Sequence, residues 1–300
     1  MANINAAVAQ PAVGLPPVRP EYVREVVAGQ DIGVVQAPLT PWQRLANQGW
    51  LRKAFLLLVI ALAWQLYALQ LNNALLVPTF SATIDAFREG LVSGEIPEKM
   101  LSSVQILLKG YALGLTLAML FTGLAMMSKL GNDLLETLTS AFNPLPAIAL
   151  LPLALIWFGL GDRSIIFVLV HSVLWAVALN THSGFRSVSN TLRMVGRNYG
   201  LRGPRLIAKV LIPAAFPSIL TGLKIGWAFA WRTLIAAELV FGVSSGRGGL
   251  GWYIYEHKNM LDIPAVFAGL FTVILIGLIV ENLIFRNIEA ATVRRWGMQS

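Results

Sequence analysis

RSVSNTLRMVGRNYGLRGPRLIAKVLIPAAFP, residues 186–217, is the stretch whose reading decides the rest of the chain. It lies between two long apolar segments and contains no Asp or Glu. Arg186, Arg193, Arg197, Arg202, Arg205 and Lys209 make it strongly basic. A short basic loop between membrane spans belongs on the cytoplasmic side. Its punctuation favours folded helices over a tether. Val188, Leu192 and Val195 recur at helical spacing, Gly200 and Gly203 break the run, and Pro204 suits the first turn of a second short helix. Leu206, Ile207, Val210 and Leu211 give that helix an apolar face, and Pro213 and Pro217 are expected to end it and start the next span. On the residues alone, two readings fit: an interfacial hairpin with snorkelling arginines, or an element gripped by a cytoplasmic partner.

Composition places the loop in a membrane protein. The chain has 300 residues, 56% hydrophobic and 13% charged, with a mean hydropathy of +0.66; soluble domains carry about 25% charged residues. The net charge of +8 is accounted for by basic loops and contacts to lipid headgroups. No basic patch lies outside those loops, which argues against nucleic acid. Cysteine is absent, so disulfides and thiolate metal sites are excluded.

A spanning helix needs about 20 mostly apolar residues. Six segments qualify, at about 54–71, 102–127, 137–160, 164–185, 217–241 and 263–284. The expected architecture is therefore an all-α polytopic membrane domain over residues 51–296. Residues 1–50, with Pro11, Pro16, Pro17, Pro20, Pro38 and Pro41 and no apolar run, read as a flexible cytoplasmic tail rather than a signal peptide. The 72–100 loop carries Arg88 and Lys99 against Asp85, Glu89, Glu95 and Glu98, and faces outward on the charge rule. Six spans then put both termini, with Arg52, Lys53, Arg286, Arg294 and Arg295, in the cytoplasm.

The spacing of Gly200, Val210, Ile212 and Pro213 resembles the cytoplasmic coupling loop of ABC-importer permeases, whose motif docks into a cleft on the ATPase subunit. Met194, Val195 and Gly196 stand where that motif has Glu-Ala-Ala. Further segments resemble the nitrate/sulfonate/taurine subfamily. They are Asn143-Pro144-Leu145-Pro146 through Pro152, then Trp157-Phe158-Gly159-Leu160-Gly161; Asn180-Thr181 with Gly184; Pro213 and Pro217 with Gly222-Leu223; Trp231 with Ala237-Glu238; and Gly246-Arg247-Gly248-Gly249-Leu250-Gly251. Together with Leu76-Val77-Pro78 they run colinearly over about residues 54–296. The resemblance implies a type I importer permease in the bacterial inner membrane. It further implies a homodimer, two ABC ATPase subunits and an external substrate-binding protein, with ATP and Mg bound by the ATPases and no cofactor in this chain. It assigns the coupling role to Arg193, Arg197, Gly200, Arg202, Arg205, Val210, Ile212 and Pro213. A small anion of the sulfonate/taurine, nitrate or bicarbonate type is the expected solute.

Ionisable and polar groups at membrane depth are candidates for the pathway. Arg232 has the planar fork that suits an oxyanion, although an interhelical ion pair or carbonyl bonds also explain it. Glu238 lies six residues on, about 240° round the helix, too far round to pair with Arg232 directly; it is expected to meet another cation or to close the outer end. Lys224 is expected to snorkel. His171, Trp175 and His182 share one helical face, with Asn180 off it. Pro144, Pro146 and Pro152 are expected to bend or break the third span beside the pathway. Asn143, Pro146, His171, Trp175, Asn180, His182, Trp231, Arg232 and Glu238 form the candidate pathway set. Residues 246–251 fit G-x-G-x-x-G, but no strand precedes them, so a dinucleotide site is rejected. A secondary transporter or channel is the alternative; it would need its own coupling-ion site and commonly inverted repeats, and neither is found.

Overall fold

The computed structural model describes residues 47–241 and 248–295, all helix and connecting turns with no strand among them. Of the tail expected over residues 1–50, residues 1–46 lie outside the described residues, while Gly49 and Trp50 already belong to the first helix. By contact density the chain divides into 1–56 and 57–300; the first unit contributes only the opening turns of α1 (Gly49–Leu71) to the description.

In the second unit, α1 ends in a turn that brings Trp64 Nε1 within 2.9 Å of the Pro78 carbonyl. Thr79 then caps α2 (Phe80–Val92), its hydroxyl accepting from the Ala82 N–H at 3.2 Å. Next comes α3 (Glu95–Met127), which reaches further back than the apolar window. Only Ser128 separates it from α4 (Lys129–Phe142), and its hydroxyl accepts from the Gly131 N–H at 2.9 Å. A side chain at Gly131 would collide with the Leu124 carbonyl, so the reversal needs glycine there.

The third span, expected over 137–160, is a bent pair. A 3₁₀ turn, Ala147–Leu150, leads into α5 (Leu151–Phe158), and the two halves meet at 89°. The bend expected from the prolines falls at residues 143–146, where Pro144 and Pro146 donate no backbone hydrogen bond. Among the described residues it leaves five long apolar helices plus this bent pair.

The core is built round α6 (Asp162–Ser187). Gly110 and Gly114 of α3 press on Leu169 and Val173, an ascending pairing that makes α3 and α6 parallel. Gly184, Gly222 and Gly226 close the interface with α8 (Ile212–Phe241), pairing 184 with 218, 180 with 222 and 177 with 226, hence antiparallel. Lipid offers helices no hydrophobic drive to associate, so close approach over small residues supplies the packing energy instead.

Between α6 and α8 lies α7 (Asn190–Asn198). After it, residues 204–240 run as one helix. Pro213 and Pro217 do not end it, contrary to expectation. The turn Ile207–Leu211 widens into π geometry just ahead of them, so the helix absorbs the missing donors without stopping. The chain then forms α9 (Leu250–Asn259), and α10 (Ile263–Ile279) continues through further wide turns to Arg294.

Candidate functional site

The 186–213 loop folds as α7 locked against the opening turns of the long helix that starts at Pro204. Ser189 caps α7 through the Leu192 N–H, and Gly200 ends it with φ +75°. The Leu201 N–H bonds to the Gly196 carbonyl at 3.0 Å and the Gly200 N–H to that of Arg197 at 2.9 Å, the paired bonds of a Schellman cap. Gly196 is buried: a Cβ there would lie 2.8 Å from Leu206 Cδ1 and 3.0 Å from Val210 Cγ2. This position therefore demands a small residue, which is why glycine can stand where the motif has alanine. Leu211 and Val188 bury with Phe185 and Ala215 and fix the pair to the ends of α6 and α8.

The expected apolar face divides. Val188 turns inward, but Leu192 and Val195 face out beside Met194 and Tyr199, the last 83% exposed. Arg193 is not free. Its Nε donates to the Val188 carbonyl at 3.2 Å and its guanidinium also reaches the Phe185 carbonyl, satisfying the C-terminal end of α6. Arg197, Arg202 and Arg205 are exposed, with no hydrogen bond or ion pair among the described residues. Arg197 and Arg202 edge a cleft of about 540 Å³ under the loop. Ile212 and Pro213 are exposed and Val210 half-buried.

At the bend, a cavity of about 370 Å³ collects several of the pathway candidates: Asn143, Pro146, His171, Trp175 and Arg232 all line it. Trp175 is buried and stacks on Phe142, ring centres 5.5 Å apart and planes 13° apart. Its indole N–H and both ring nitrogens of His171 are buried without a hydrogen-bond partner among the described residues. Arg232 is exposed, lies 5.6 Å from the Phe229 ring centre, and has no ion pair among the described residues.

The other candidates lie elsewhere. His182 is buried and its Nε2 sits 2.9 Å from Asn132 Oδ1 on α4. Asn180 turns its amide back to the Ala176 carbonyl at 2.7 Å and packs over Gly222. Trp231 is buried, its Nε1 donating to the Val273 carbonyl at 3.3 Å. Glu238 does not line the cavity. It is 2% exposed, and its carboxylate accepts from Ser103 Oγ at 2.8 and 2.9 Å and from the Gly251 N–H at 2.8 Å. Gly249 has room for no Cβ, which would lie 2.2 Å from the carboxylate. The described part of the glycine-rich segment, Gly248 to Gly251, thus packs against a buried acid at the start of α9; Gly246 and Arg247 lie outside the described residues. Lys224 does not merely snorkel: its Nζ is 2.6 Å from Glu289 Oε2. Sequence reasoning passed over Ser103 and Glu289, whose partners lie 135 and 65 residues away.

Residues 110–294 match the family described as binding-protein-dependent transport system inner membrane component. The chain belongs to this family. It is the permease subunit of an ABC importer, in the nitrate/sulfonate/taurine group, and a multi-pass inner-membrane protein. A protein of Methanocaldococcus jannaschii described as an ABC transporter permease is 32% identical over 223 residues, 73% of this chain and 82% of that one. An aliphatic sulfonates transport permease protein of Bacillus subtilis is 30% identical over 79% of this chain and 84% of its own length. The taurine transport system permease protein of Escherichia coli is 28% identical, covering 79% and 86%. Permeases of this family work with an ATPase and a binding protein, so the energy source for transport lies on another chain.

Proposed function

We propose that two copies of this permease subunit form the pathway for a small anion, driven by two ATPase subunits that bind ATP and Mg and supplied by an external binding protein. The 186–213 loop and both termini face the cytoplasm in this reading, and the Glu95 end of α3 faces outward. One observation carries it. Leu192, Met194, Val195 and Tyr199 expose an apolar face on a capped helix, with Arg197, Arg202 and Arg205 near it and unpaired among the described residues. Exposed apolar surface rimmed with charge is what a docking face requires. The usual acidic contact of the motif cannot come from position 194, so apolar contact and the arginines do the gripping. The anion preference follows from Arg232, a cation at membrane depth with no counter-ion among the described residues, and from the sulfonate and taurine permeases to which the chain is similar.

The test is co-purification with the ATPase subunits. Tyr199→Asp and a Val195→Asp variant should abolish retention of the ATPase while the permease still inserts. Full retention by both would overturn the docking assignment. Solute uptake by this chain alone in liposomes would overturn the importer reading and favour a self-contained transporter.

A further inference from the structure

We propose that the cavity at the 89° bend is a transit site for an organic anion with an apolar body, and that it discriminates against bare inorganic anions. This rests on the small-anion reading above and narrows it.

Three observations converge. The first is charge. Arg232 borders the cavity with no acid paired to it among the described residues, and Glu238, the nearest acid on its own helix, is turned away and fully engaged with Ser103 and the Gly251 N–H. A guanidinium left without a counter-ion at membrane depth is a receptor for one, and its fork matches the paired oxygens of a sulfonate or carboxylate.

The second is a set of unanswered polar groups. Trp175 is 8% exposed and lines the cavity, yet its indole nitrogen has no partner among the described residues. An indole N–H can only donate. His171, one turn away, also lines the cavity and leaves both ring nitrogens unpartnered among the described residues. Buried donors without acceptors are rare in folded proteins, and here they lie beside a cation. An acceptor-rich ligand answers the indole N–H, the guanidinium and whichever imidazole nitrogen carries a proton.

The third is size and texture. The cavity measures about 370 Å³, within the range of roughly 300–1,000 Å³ usual for organic ligands. Nitrate and bicarbonate, with only four heavy atoms each, would leave most of this space unfilled. Apart from Asn143, Ser172 and Thr233, the remaining wall is apolar: Pro146, Ile148, Phe229 and Ala236 among others. Headgroup on Arg232 and carbon body against this wall is the arrangement that uses both halves of the lining.

The experiment uses this chain in complex with its ATPase subunits, in phosphatidylcholine nanodiscs without binding protein. Equilibrium binding of radiolabelled benzenesulfonate is measured with nitrate as competitor. Binding is expected for the wild-type complex, with loss of about tenfold or more in Arg232→Met, as for a lost charged hydrogen bond. A smaller loss is expected in Trp175→Phe, which keeps the ring and removes the donor. Nitrate should compete only at far higher concentration. Equal competition by nitrate would overturn the size argument. Unaltered binding by Arg232→Met would overturn the placement, and no binding at all would overturn the transit site itself. In each of these cases, a complex that retains its ATPase and imports solute when given binding protein leaves the importer reading intact.

Discussion

Ser103 Oγ lies 2.8 Å from Glu238 Oε1 and 2.9 Å from Oε2, across 135 residues of sequence, and accepts from the Leu250 N–H at 2.8 Å. One hydroxyl thereby joins α3, α8 and the start of α9. Replacing it leaves a buried carboxylate short of a donor and a buried N–H without an acceptor. Ser103→Ala should lower the stability of the permease by about 1–3 kcal/mol. Thermal unfolding in detergent, followed by tryptophan fluorescence, measures it; an unchanged midpoint would show that the link carries no energy.

Gly196 offers a graded test of loop packing. The atom nearest to an added Cβ is the far end of Leu206, which can rotate aside. Gly196→Ala should therefore keep the ATPase bound. Gly196→Leu must force the two pieces of the loop apart and should release it, by a cost of about 1–3 kcal/mol in overpacking. Equal retention by both variants would show that the packing seen here is not needed for docking.

At Gly200 the constraint is conformational. With φ at +75°, any other residue strains the cap, and Gly200→Ala should weaken the end of α7 by about 1 kcal/mol. Limited proteolysis between α7 and residue 204 should speed up, with no change elsewhere in the chain.

Lys224 and Glu289 pair at 2.6 Å with side chains about three-quarters buried (27% and 21% exposed). Their contribution should fall between the roughly 1 kcal/mol of an exposed pair and the roughly 3–5 kcal/mol lost on breaking a buried one. Lys224→Ala and Glu289→Ala should each lower the unfolding midpoint, and the double variant should lose less than the sum of the two. Strict additivity would show the pair to be uncoupled.

The membrane made much of this fold legible. A lipid-facing helix excludes charge, so windows free of charge, or nearly so in 217–241, located the apolar centres of the helices. They could not give the ends, because helices continue past the apolar region: α4 begins at Lys129 and carries Asp133 and Glu136. The prolines announced the bend near 143–146, since ring chemistry acts locally. The same rule failed at Pro213, because a neighbouring wide turn can accommodate what proline removes, and no residue signals that turn. The pathway candidates fared unevenly for a related reason. Helical spacing placed His171, Trp175 and His182 on one face, but what each meets depends on the helix opposite. Two meet the cavity and the third meets Asn132. Glu238 looked like a pathway residue on depth alone; its partner Ser103 lies on a helix that nothing in its own neighbourhood reveals.

The unbroken run from Pro204 to Val240 has a mechanical consequence. Arg205, on the docking loop, and Arg232, at the cavity, sit on one rod, separated by roughly 40 Å at about 1.5 Å per residue. Such a rod acts as a lever. A tilt of about 5° imposed at one end displaces the other by roughly 3–4 Å, comparable to the diameter of a water molecule. The wide turn at Ile207–Leu211 is where compliance can enter, so the stiffness of those five residues sets how much of an applied stroke arrives at the bend.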